Sequence, residues 1–129
     1  MIDLTGEWSG SYTYPGSLDP VPFEAILRDN GGRISGETIE PTEDGLMAGD
    51  ATASLSGERI GADVEWTKQY DQAELYPDMV HYHGTIDADQ CEISGQWVIV
   101  GDLTGAFVMT RPTTLAQAVE SEEAVSLDR

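Results

Sequence analysis

Cysteine is almost missing from this chain: Cys91 is the one example in 129 residues. An intrachain disulfide and a cysteine-based zinc cluster are therefore excluded. Positive charge is scarce too. Six Lys and Arg residues stand against 24 Asp and Glu, for a formal net charge of −18 at pH 7. Such a chain repels phosphate backbones and anionic lipid, so neither nucleic acid nor membrane is an expected partner. The charge reads as a solubilising surface. No apolar run approaches the roughly 20 residues that a membrane-spanning helix requires. Met1 to Trp8 lack the basic region and apolar core of a signal peptide, and the expected compartment is the cytoplasm. No Gly-X-Ser-X-Gly elbow, phosphate loop, nucleophile-base pair or metal motif occurs, so no cofactor and no metal are expected.

What is present is alternation. From Ile60 to Tyr70, Ile60, Ala62, Val64, Trp66, Lys68 and Tyr70 share one face, while Gly61, Asp63, Glu65, Thr67 and Gln69 share the other. That is the period of a strand with one dry and one wet side. The pattern repeats along the chain. Leu4 to Tyr14 places Trp8, Tyr12 and Tyr14 on one face, and Val21 to Arg28 turns Phe23, Ala25 and Leu27 inward. Arg33 to Glu40 carries Ile34, Gly36 and Thr38, and a short strand from Asp50 to Leu55 carries Ala51, Ala53 and Leu55. Met79 to Asp87 presents Tyr82. Cys91 to Val100 presents Ile93, Gly95, Trp97 and Ile99, and Leu103 to Arg111 presents Gly105, Phe107, Met109 and Arg111.

Turn chemistry separates these stretches. Asp29-Asn30-Gly31-Gly32 is a hairpin signal, Ser56-Gly57-Glu58 is expected to turn the chain into the Ile60 strand, and Gly101-Asp102 joins the last two. Eight strands joined mainly by hairpins form a meander, and closing it into a barrel removes the exposed edges. The expected fold is thus all-β: an eight-stranded antiparallel up-and-down barrel over residues 1–112. An acidic helix or tail follows at 113–129, where Thr113 or Thr114 can cap a helix.

An aliphatic residue, then Ser or Thr, then Gly recurs at Leu4-Thr5-Gly6, Ile34-Ser35-Gly36, Leu55-Ser56-Gly57, Ile93-Ser94-Gly95 and Leu103-Thr104-Gly105. Glycine in a strand marks tight coiling or close approach by a neighbouring ring. With Gly6-Glu7-Trp8, Val64 to Tyr70, Tyr82-His83-Gly84 and Ile93 to Trp97, these motifs resemble the calycin superfamily, and the avidin and streptavidin branch most of all. The resemblance runs from Leu4 to Arg111 and implies a barrel with a tryptophan-lined pocket. It does not imply biotin. Avidins hold the ureido group with an Asn, two Ser, a Tyr and an Asp, and the matching register here holds Gly10, Tyr14, Thr38, Glu40 and Gly105. The aromatic box is kept and the polar set is not.

The candidate ligand-binding residues are Trp8, Tyr12, Tyr14, Phe23, Trp66, Lys68, Tyr82, Trp97 and Phe107, facing a small apolar or aromatic molecule. The bland alternative is that the rings simply fill the barrel. Lys68 on a dry face needs a carboxylate or an anionic ligand, and the expectation is that it sits near the mouth and reaches solvent. Arg111, beside Pro112, is expected near a rim. His81 and His83 lie on the face opposite Tyr82 and are expected outside, as surface or subunit-contact residues. Cys91 shares the register of Ile93 and is expected to be a buried thiol. Two other functions fit the same pattern. One is a cofactor-independent cyclase or isomerase in the same cavity, an activity known among small calycin-like barrels. The other is a filled barrel that forms a homodimer or homotetramer through outward Ile26, Ile39, Val98, Val100 and Val108.

Overall fold

A computed structural model describes residues 2–17, 19–41, 50–72, 74, 77 and 79–112. Eight strands follow one another: β1 (Gly6–Thr13), β2 (Val21–Asn30), β3 (Arg33–Pro41), β4 (Asp50–Ile60), β5 (Asp63–Tyr70), β6 (Val80–Ile86), β7 (Glu92–Ile99) and β8 (Leu103–Thr110). Each pairs antiparallel with the next, and β1 pairs with β8, so the sheet closes into a barrel. The all-β up-and-down fold expected from the alternation is the fold found. The proposed helix or tail at 113–129 lies outside the described residues, which contain no helix.

The parity of the side chains holds around the whole barrel. β6 alternates buried and exposed residues from end to end. Trp66, Tyr82 and Trp97 stand side by side in one cross-strand row, with Gly57 at one end and Gly105 at the other. All three rings are buried. His81 and His83 point outward, as do Ile26, Ile39, Val98, Val100 and Val108.

One turn was misplaced by sequence. Ser56-Gly57-Glu58 lies inside β4, which continues to Ile60, and the chain reverses at Gly61-Ala62 instead. Gly61, at φ +62°, supplies the left-handed residue that the tight reversal needs. Ile60 and Ala62 are consequently exposed rather than inward, Ile60 to 69%. Gly57 serves a different purpose. It faces Trp66 across the ladder, and a methyl group there would run into the Glu65 carbonyl oxygen and the Trp66 Cα.

The two ends of the barrel differ. One end carries the tight reversals at 31–32 and 61–62, the turn at 87–91 and both ends of the described chain. There Leu4 is fully buried, and its N–H donates to Asp29 Oδ2 at 3.1 Å. Asp29 also accepts from Arg59 Nε at 3.0 Å and from the Gly32 N–H at 2.8 Å. Burial works against the Asp29 carboxylate, but these donors hold its pKa below the usual range. Arg111 stacks 4.5 Å from the Trp8 ring centroid and donates to the carbonyls of Gln90, Thr5 and Asp3. It is half-buried, and seals this end rather than lying free on a rim. Cys91 is only half-buried, at the turn before β7, with its N–H donating to Asp87 Oδ1 at 2.9 Å. The opposite end carries the connections 14–20, 42–49 and 71–79, and so all the longer loops.

Because the atoms facing Gly57 are backbone, they cannot yield cheaply. Gly57→Ala is expected to destabilise the fold by about 1–3 kcal/mol, read as a lower urea midpoint at unchanged slope. An unchanged midpoint would contradict the close approach.

Candidate functional site

The site forms on the inward register of β3 and β5, towards the long-loop end. On β5 the inward sequence Val64, Trp66 is followed by Lys68, which is 1% exposed. On β3 the inward sequence Ile34, Gly36, Thr38 is followed by Glu40, also buried. Lys68 Nζ lies 2.6 Å from Glu40 Oε1. The same oxygen accepts from the Tyr70 hydroxyl at 2.8 Å, and Oε2 accepts from the Tyr12 hydroxyl. Glu40, on β3, thus holds three donors from two other strands, β1 and β5, inside the barrel.

The ammonium is enclosed by rings. Nζ stands 4.7 Å from the Tyr70 centroid, 5.2 Å from Tyr12, 5.8 Å from Phe23 and 5.9 Å from Tyr82. Aromatic faces attract a cation, the more so where water is excluded. Burial nonetheless pushes the Lys68 pKa down, and Glu40 opposes that shift. One expectation fails here, and one residue went unrecognised. Lys68 does not reach solvent, because a carboxylate is waiting for it inside. Glu40 was not among the candidate residues, although two-residue steps from Ile34 lead to it.

The predicted aromatics divide by level. Tyr12, Phe23 and Tyr82 surround the ion pair that the candidate Lys68 makes with Glu40. Trp66 stacks on Tyr82 with centroids 6.1 Å apart, and Phe107 packs edge-on against Tyr82 at 5.0 Å. Trp97 meets Tyr12 edge-on at 6.1 Å, and its indole N–H donates to the Thr13 carbonyl at 3.1 Å. Two candidates fall outside this group. Tyr14 lies just beyond the end of β1 and is 43% exposed, edge-on to Trp97 at 5.4 Å. It is a rim residue. Trp8 lies at the sealed end under Arg111, its indole N–H bound to the Leu4 carbonyl at 2.9 Å.

Thr38 completes the interior at this level. Its hydroxyl oxygen is buried and has no hydrogen-bond partner among the described residues. Thr38 is paired across the ladders with Ala25 on one side and Ala53 on the other, while Ala51 lies opposite Glu40. Ala25, Ala51 and Ala53 therefore flank Thr38 and Glu40, whereas rings come in from Tyr12 on β1, Phe23 on β2 and β5 to β8.

Two clefts bounded by described residues lie on the outer surface. One, of about 870 Å³, is lined by Glu58, Glu65, Thr67, His81 and His83; the other, of about 710 Å³, surrounds Ile26 and Ile39. Neither touches the charged pair. Among the described residues, Asp87, Asp89 and Cys91 are the one group of potential metal ligands close enough to share an ion, and it includes neither histidine. No helix among them is long and apolar enough to cross a membrane.

Burial, with the Glu40 charge adding to it, pushes the phenols of Tyr12, Tyr70 and Tyr82 far above the ordinary value of 10.0. A raised phenol pKa stabilises the fold fully below pH 10 and is lost as pH climbs towards the folded value, since the unfolded chain then releases protons that the folded one retains. Lys68, with its lowered pKa, contributes the opposite sign, but three phenols oppose one ammonium. Stability is expected to fall steeply above about pH 10, with these three of the five tyrosines ionising only on unfolding. Phenolate absorbance and circular dichroism recorded together check this; all five ionising with the fold intact would contradict it.

No protein-family model matches this chain, and no curated protein matches it in sequence.

Proposed function

We propose that the barrel binds a small, largely apolar or aromatic molecule between its rings, entering from the long-loop end, as a calycin-like barrel of avidin-like form without the biotin-binding polar set. The observation that carries this reading is the buried Lys68–Glu40 pair with its two phenols. A barrel core gains little stability from such a pair, because apolar side chains of the same volume serve at least as well. Ion pair, phenols and an unpartnered hydroxyl gathered at one end of an apolar interior are what a ligand site requires: a few placed polar groups among rings.

A second reading uses the same place for chemistry. Lys68, Glu40, Tyr12 and Tyr70 are in mutual contact in a dry setting, where proton donors and acceptors act strongly on a bound substrate. A cofactor-independent cyclisation or isomerisation would need no further group.

Titrating a panel of apolar metabolites against tryptophan fluorescence tests the first reading, because Trp66 and Trp97 flank the site while Trp8 is remote. Quenching is expected in the parent and in Trp8→Phe, with affinity reduced at least about tenfold in Trp66→Ala and Trp97→Ala. Variants that bind as well as the parent would refute the site. Mass spectrometry of the recovered ligand separates the two readings: an unchanged ligand supports binding alone, and an isomer supports catalysis.

A further inference from the structure

We infer that the ligand of this site is an uncharged molecule whose aromatic or unsaturated body ends in a carbonyl-bearing head group, held by the Lys68 ammonium and the Thr38 hydroxyl. The inference rests on the ligand-binding reading above and narrows it to a chemical class.

The argument is one of donors, acceptors and charge. An ammonium has three N–H donors. Among the described residues, the oxygen partner of Lys68 is Glu40 Oε1, and its other neighbours are ring faces. Donors therefore remain that no oxygen accepts. Thr38 adds another: its buried hydroxyl has no partner among the described residues, and burying an unpaired hydroxyl costs free energy. Thr38 lies one inward step from Glu40 on β3 and in the same cross-strand row as Tyr70. The one carboxylate here is already in use. Both Glu40 oxygens are already engaged by Lys68, Tyr70 and Tyr12. An ammonium can only donate, so the partner it lacks is an acceptor, and the Thr38 hydroxyl can donate to the same group.

Charge decides which acceptor. Lys68 and Glu40 together are neutral. A carboxylate ligand would leave a net negative charge in the dry interior of a chain already at −18. A cationic ligand would meet the Lys68 ammonium already occupying the ring enclosure. A neutral carbonyl carries lone pairs without charge, and the rings of Trp66, Tyr82 and Phe107 suit a flat body behind it.

The test is calorimetry at pH 7 with three matched series, built on benzene, naphthalene and biphenyl. Each framework carries an ethyl, an acetyl or a carboxylate group. The acetyl compound of a framework that fits is expected to bind about tenfold or more tighter than its ethyl counterpart, and the carboxylate no tighter than the ethyl. Thr38→Val should reduce the acetyl-over-ethyl preference about two- to tenfold without lowering the urea midpoint of the free protein. A hydroxyl that were merely structural would lower the midpoint and leave the preference intact. Lys68→Met combined with Glu40→Gln keeps the cluster neutral and should abolish the preference; if that pair fails to fold, the Thr38→Val result decides. Ethyl and acetyl compounds binding equally would overturn the carbonyl head group and leave the binding site standing. Tighter binding of the carboxylate would overturn the uncharged class. If no compound of any framework binds, the ligand-binding reading itself falls.

Discussion

A lysine and a glutamate that meet inside a barrel constrain everything around them. Either charge alone in that setting would cost several kcal/mol, on the order of 3–5 for a broken buried pair. The two are tolerable only together and only when their remaining polar atoms find partners. Glu40 finds them in Tyr12 and Tyr70, and Lys68 in the faces of four rings. Those partners come from β1, β2, β5 and β6, so the pair ties together strands from opposite parts of the sheet. The aromatic wall surrounds the charges as well as filling space.

This arrangement divides the barrel into a sealed end and a chemical end. At the sealed end, charged groups are spent on backbone: Arg111 on three carbonyls, Asp29 on the Leu4 and Gly32 amides and on Arg59. Among the described residues, no buried side-chain polar atom at this end lacks a partner. At the other end a hydroxyl and an ammonium keep donors that no oxygen among the described residues accepts. The same chemical vocabulary thus serves closure below and, in the proposed reading, recognition above.

Much of this was legible in the sequence because strand parity is binary. Once Trp66 is taken as inward, Tyr82, Trp97, Phe23 and Phe107 follow, and His81 and His83 are placed outside. Parity fails only where a strand stops. Tyr14 keeps the inward register but lies beyond Thr13, and Ile60 belongs to the end of β4 rather than the start of β5. Gly57 and Gly61 are two glycines in one short stretch, one needed for close approach to Trp66 and one for a positive φ. Composition cannot tell those needs apart. The Lys68–Glu40 contact joins residues 28 apart on strands that are not neighbours, so no local pattern reports it. What the sequence did state was the need: a lysine on a dry face requires a carboxylate, and Glu40 occupied the matching parity.

Lys68 is the sole lysine of the chain, which makes the central claim directly measurable. Lysine labelled with carbon-13 and nitrogen-15 gives one set of side-chain signals in a nuclear magnetic resonance spectrum, with no assignment required. A charge enclosed by rings and held by Glu40 should show ε-methylene protons displaced by ring currents and ammonium protons slow to exchange with water. Signals at the positions of a free, solvated lysine, exchanging as fast as one, would place Lys68 outside the barrel and contradict the account.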